Sequence, residues 1–175
     1  IVATDIEAKN GVVHVIDSVI LPMPTIAETV VAAAEGDMPE FSILLAAVAA
    51  ADEAVLETLS DPSQDLTVFA PTEAAFEAAL EALEISAEDL LASEGLTGIL
   101  LYHVLSGEVY AEDVVALLED NDGMIEVEML DGNMASVEAV EDGITIAGAN
   151  IITTDVMTAN GVIHVIDAVI LPSTE

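Results

Sequence analysis

The sequence predicts an α+β domain: N-terminal helices packed on a β-sandwich or wedge of mostly antiparallel strands. Three observations carry this. Apolar residues recur at intervals of three and four through the first two thirds of the chain, as in Phe76, Leu80 and Leu83. From Met124 onward the interval becomes two, with Ile125, Val127 and Met129 alternating with Glu126 and Glu128. Asx-Gly pairs at Asp131-Gly132, Asp142-Gly143 and Asn160-Gly161 then separate the apolar runs, the strongest short signal for tight hairpins.

Taken in order, residues 23–60 read as helical. Thr25 is placed to cap a helix, with Glu28 three residues on completing a capping box, and Gly36 stands where that helix stops. Ser42 to Leu59 sets Leu45, Val48, Val55, Leu56 and Leu59 near helical spacing, and Asp61-Pro62-Ser63 ends the run. Thr67, Phe69 and Pro71 belong to a short buried strand, Leu66 to Thr72. Thr72 then caps a helix that carries Phe76 on its apolar face and Glu73, Glu77, Glu81, Glu84 and Glu88 on another. That acidic stripe reads either as a solvated face or as a surface for cations. Ser86 opens another short helix ending near Gly95, an apolar segment runs into Ser106-Gly107, and Ala111 to Leu118 forms a last helix. The sheet is expected to come largely from residues 66–70 and 124–172.

The phrase GVVHVIDSVILP at Gly11 to Pro22 returns as GVIHVIDAVILP at Gly161 to Pro172, 150 residues later. Residues 1–22 and 151–172 are identical at 14 of 22 positions. Such a period is far longer than the ~20–50 residues of a solenoid unit and has the size of a domain. Residues 23–172 are therefore expected to be one complete domain, residues 1–22 the closing strands of a preceding copy, and residues 173–175 the start of a linker. With Val12, Val13, Val15, Ile16, Val19, Ile20 and Leu21, the first segment is too apolar to remain unpartnered in water. Two prolines in Pro22-Met-Pro24-Thr25 make the link stiff.

Composition narrows the class. Hydrophobic residues make up 54% of the chain, which excludes a disordered acidic tail, and the absence of Cys excludes a disulfide framework. Thirty-four acids face a single base, Lys9, for a net charge of −33. A surface of this kind repels nucleic acid and anionic membranes, and its charge must be screened by solvent cations. High salt and a calcium-rich exterior both fit, as does a merely soluble acidic surface. The longest apolar run, Ile43 to Ala51, has nine residues. A membrane span needs about 20, so direct membrane insertion is not expected.

Three motifs in order, TVFAPTEAAFEAAL, LLYHVLSGEVYAEDV and ANGVIHVIDAVILP, resemble the fasciclin-like domain, an extracellular adhesion module. The resemblance covers residues 25–172. It implies a non-enzymatic, secreted or cell-surface module of a tandem array, serving adhesion or a fibre. Its implied partners are neighbouring repeats or subunits arranged head to tail, and matrix components. It also implies an adhesive role for Tyr102 and His103, whose apolar flanks equally suit packing. The alternative function is a small-ligand or glycan-binding module with an apolar groove between helices and sheet.

The remaining chemistry is sparse. No nucleophile elbow, phosphate loop or dinucleotide fingerprint is present, so no catalytic residue is assigned. His164 lies on a strand between apolar residues, either packed with its ring nitrogens on backbone groups or acting as ligand or base. Asp167, like Asp17, is placed to terminate the hairpin edge, and Gly161 and Pro172 bracket the same motif. Asp120 and Asp122 match the middle of a calcium loop, but Leu118 and Met129 occupy its first and twelfth positions. No cofactor is expected beyond calcium or other cations on the acidic surface.

Overall fold

The computed structural model describes residues 2–18, 22–35, 40–93, 95–140 and 143–172. The helix stop at Gly36, the turn residue Asp142, the apolar Val19, Ile20 and Leu21, and residues 173–175 lie outside these.

A hairpin of β1 (Ala3–Ala8) and β2 (Gly11–Val15) comes first and forms a sheet of its own. The body follows with α1 (Ile26–Ala34), α2 (Ser42–Ala50) and α3 (Glu53–Ser60). Thr25 caps α1 as expected. Its Oγ1 accepts from the Glu28 N–H at 3.3 Å, and the Glu28 carboxylate accepts from the Thr25 N–H at 2.9 Å. The expected helical run from Ser42 to Leu59 is split, because Ala51 takes extended backbone and Asp52 starts the next helix. The Thr97 hydroxyl donates to the Asp52 carboxylate at 3.1 Å and so holds this corner from another segment.

Strand β3 (Leu66–Pro71) is buried along its whole length, and α4 (Glu73–Leu83) follows it. The Thr72 hydroxyl caps α4 by accepting from the Ala75 N–H at 3.2 Å, and Phe76 is buried, whereas Leu83 is exposed. The acidic stripe is divided: Glu84 turns left-handed at φ 55° and closes α4, and Glu88 lies on α5 (Ala87–Leu91). After α6 (Leu96–Leu101) the chain changes from helix to strand at Tyr102-His103 and enters β4 (Val104–Ser106), a strand missing from the expected sheet. Helix α7 (Ala111–Asp120) leads to β5 (Met124–Glu128), β6 (Met134–Val140), β7 (Gly143–Ile146), β8 (Ala149–Thr158) and β9 (Gly161–Ile166).

The sheet of the body has the order β4-β3-β9-β8-β7-β6-β5. Among the described strands only β3 and β9 run parallel; the other neighbours are antiparallel. A bridge from Leu105 to Met129 brings β4 to the end of β5, so the sheet nearly closes on itself. Alternation along β3 feeds two cores. Leu66, Val68 and Ala70 join Ile26, Val48 and Phe76 under the helices, while Phe69 faces Ile146, Ile166 and Leu118 on the side of α7. A strand that serves both cores must be apolar on both faces, which explains the unbroken LTVFAP run.

Candidate functional site

The second copy of the repeated phrase forms β9, at the centre of the sheet. Its first residue, Gly161, has φ 144°, and a Cβ there would lie 1.9 Å from the Leu66 carbonyl oxygen. Only glycine allows β3 and β9 to approach this closely. His164 is buried, and its ring stacks on Phe69 with centroids 5.6 Å apart. The Asp155 N–H donates to Nδ1 at 3.3 Å, so Nε2 carries the proton and donates to the Val109 carbonyl at 2.9 Å. Both ring nitrogens are engaged by backbone, the packed alternative of the two readings. Asp167 holds the start of β8: its carboxylate accepts from the Asn150 N–H and side-chain amide, each at 2.8 Å. The fully buried Thr67 joins β3 to the loop before α7, donating to the Gly107 carbonyl at 2.7 Å and accepting from the Val109 N–H at 2.8 Å. Pro71 is buried at the strand end, and Pro172 closes the described chain.

Asn160 escaped the sequence reading, where it served only as half of a turn. Its Oδ1 accepts from the Ile26 N–H at 2.8 Å, which caps α1 from the far end of the chain. Its amide donates to the carbonyls of Leu59 at 2.9 Å and Asp61 at 3.2 Å. The signal was present in the repeat: Asn10 and Asn160 agree while the preceding residues, Lys9 and Ala159, do not.

Tyr102 and His103 are both buried. The Tyr102 hydroxyl donates to the Met134 carbonyl at 3.1 Å, and burial first, then the Asp131 charge, raises its pKa. His103 Nδ1 donates to the Ile99 carbonyl at 2.8 Å, and Nε2 accepts from the Ile170 N–H at 3.1 Å. Burial lowers its pKa to about 4, against the opposing pull of the Ile99 carbonyl, so the ring is neutral at pH 7. Any adhesive contact through this pair requires the surrounding surface to open.

Asp120 ends α7 and Asp122, at φ 57°, makes the turn into β5. The Gly123 N–H returns to the Leu118 carbonyl at 2.8 Å, as in an ordinary helix-terminating turn. Among the described residues no three His, Asp or Glu side chains converge to hold a metal. An apolar cavity of about 90 Å³ lies between α7 and the sheet, lined by Val114, Ile125 and Val137 among others, and a wider, more open hollow of about 630 Å³ is lined by Val115, Leu118, Asp122 and Ile144 among others. Ligand pockets usually measure about 300–1,000 Å³.

The first copy of the phrase, β1–β2, stands apart. Val12, Val13 and His14 are exposed, as is Lys9 in the turn. Their counterparts Val162, Ile163 and His164 are at 0%, 4% and 3% exposure.

Comparison with known proteins follows the same lines. Residues 39–172 match the model of the Fasciclin domain. Human Periostin is 35% identical over 168 residues, covering 95% of this chain and 18% of that protein. Protein sll1483 of Synechocystis sp. is 42% identical over 146 residues, covering 83% of this chain and 74% of that protein. The chain thus spans less than a fifth of Periostin and about three quarters of the cyanobacterial relative. A solved structure described as a FAS1 domain pair from the insect cell adhesion molecule fasciclin I has a TM-score of 0.66 at 22% identity, covering 95% of this chain and 57% of that one. That likeness establishes a shared fold, and with the family match over residues 39–172 the chain belongs to the Fasciclin domain family.

Proposed function

We propose that the chain is a non-enzymatic adhesion or structural module of an extracellular tandem array. Residues 2–18 close the copy before it, and residues 23–172 are a complete copy. The observation that carries this reading is the coexistence of a filled closing hairpin, β8–β9, with a second one, β1–β2, lying outside the body. The similarity to Periostin over 95% of this chain, well beyond residues 39–172, supports treating hairpin and body as parts of one longer design. Tyr102 and His103 hold the core beneath the contact surface. Contact runs instead through the acidic exterior, where 34 carboxylates and a single lysine make bridging by divalent cations the available attraction. The small-ligand reading has less support: the inner cavity is small, and the hollow of about 630 Å³ is open to solvent, where ligand pockets enclose most of their ligand.

Beads coated with the chain test the adhesive mechanism. They are expected to aggregate in calcium chloride, to disperse on adding chelator, and to aggregate less in sodium chloride of equal ionic strength. Beads that stay dispersed in every salt would overturn it.

A further inference from the structure

We infer that the hairpin β1–β2 is an exchange element, able to take the place of β8–β9 in the sheet of a second copy of this chain when that copy's own hairpin is displaced. The inference rests on reading residues 2–18 as a closing hairpin, and adds the occupant and the contacts that select it.

The two hairpins agree in three dimensions as well as in sequence. β1–β2 pairs Ala3 with Val15, Ile6 with Val13, Glu7 with Val12 and Ala8 with Gly11. β8–β9 pairs Thr153 with Val165, Val156 with Ile163, Met157 with Val162 and Thr158 with Gly161, each number offset by 150. The register slips between Ala3 and Ile6 in the first and between Thr153 and Val156 in the second. Asp5 and Asp155 take the same left-handed conformation at φ 56° and 57°. Both then donate their N–H to the histidine opposite, to His14 Nδ1 at 3.2 Å and to His164 Nδ1 at 3.3 Å. The hairpin is therefore already in its docked shape outside any larger sheet. A lone two-stranded hairpin is marginal in water, and this one exposes Val12 at 54% and Val13 at 51%.

The receiving slot is defined by what β9 meets in the body. Gly161 must be glycine to pass the Leu66 carbonyl, His164 Nε2 donates to Val109, and Asn160 caps α1. Gly11, His14 and Asn10 repeat all three. At the two buried positions that differ, Thr158 becomes Ala8 and Ile163 becomes Val13. Both replacements are smaller, and the enlargements at half-buried positions packed against the cores, Val156 to Ile6 and Ala168 to Ser18, are each by a single heavy atom. Among the described residues there is then one slot and two hairpins that fit it, and β8–β9 holds the slot of its own body.

Gly161→Val in the otherwise whole chain should evict β9, since its Cβ would strike the Leu66 backbone, while leaving Gly11 intact. The expected result is a chain that still melts cooperatively but has gained mass by light scattering, with the gain increasing along a concentration series. Gly11→Val added to it should abolish both the melt and the assembly. Gly11→Val alone should melt like the parent. Equal unfolding of the Gly161→Val and double variants would overturn the inference, as would folding of Gly161→Val that does not depend on Gly11. Folding that depends on Gly11 without a change in mass would overturn the second copy as partner. None of these results bears on the bead assay, which uses the parent chain, so failure here and failure of the adhesion reading are separable.

Discussion

Asn160 ties the start of α1, the end of α3 and the following turn to the tip of β8–β9 through a single buried side chain. Replacing it with alanine leaves buried donors and acceptors unpaired, each worth about 1–3 kcal/mol. Asn160→Ala is therefore expected to lower stability by about 3 kcal/mol in a denaturant melt. Asn10→Ala, the same change at an exposed turn, should stay within about 0.5 kcal/mol of the parent. Equal effects would mean that Asn10 is buried too. His103 makes a prediction in pH. Its folded pKa of about 4 lies below the ordinary 6.5, so between those values the unfolded chain binds the extra proton. Stability from this ring is complete above pH 6.5 and is lost as pH falls to 4, by about 3 kcal/mol at 1.36 kcal/mol per pKa unit. Carboxylates that only repel one another act in the opposite sense when protonated, whereas Asp61 and Asp89, whose pKa values are lowered by hydrogen bonds from Ser63 and Ser86, act in the same sense as His103. The expected result is therefore a difference: His103→Gln should show a shallower loss over pH 7 to 4 than the parent. Parallel curves would refute it.

At the scale of elements, helix α2 has no cap of its own, since Phe41 offers no side-chain acceptor. The Glu73 carboxylate reaches across from α4 and accepts from the Ile43 N–H at 3.1 Å. Glu73→Ala should cost about 1 kcal/mol, the usual value of a lost N-terminal cap, and Glu73→Gln less, because it keeps an acceptor. Equal losses from the two would place the effect elsewhere. Such a cap could not be seen in the sequence, where Glu73 is one of a row of glutamates and its partner lies 30 residues away. Local signals were legible: Thr25 with Glu28, Thr72, Ser86, and the hairpins at Asp131-Gly132 and Asn160-Gly161. Each depends on neighbours within a few residues. Strand β4 was not legible, because Val104 and Leu105 continue the apolar run of α6 and only pairing with β3 makes them a strand. The same limit hid the parallel pairing of β3 with β9, which joins residues nearly 100 positions apart. At the candidate site, the repeat marked Gly161 and His164, but their partners Leu66 and Val109 came only with the fold.

For the whole molecule the dominant quantity is charge. Thirty-four acids share the surface with one base. Carboxylates on one small body repel across distances comparable with the Debye length, about 10 Å at 0.1 M salt. The melting temperature is therefore expected to rise with sodium chloride from low to molar concentration, and a flat series would refute this. At equal ionic strength calcium should raise it no further than sodium, since among the described residues no cluster converges on a metal. A larger effect of calcium on the melt would place a binding site within the chain, whereas the bridging proposed above acts between chains.

Lys9, the only basic residue, stands in the exposed turn between β1 and β2. A protease that cleaves only after lysine or arginine thus has one peptide bond to attack in 175 residues, Lys9–Asn10. The body contains none, so digestion severs β1 from β2 and spares everything after it. The chain is in effect resistant to an entire class of digestive enzymes except at the element that would join it to its neighbour.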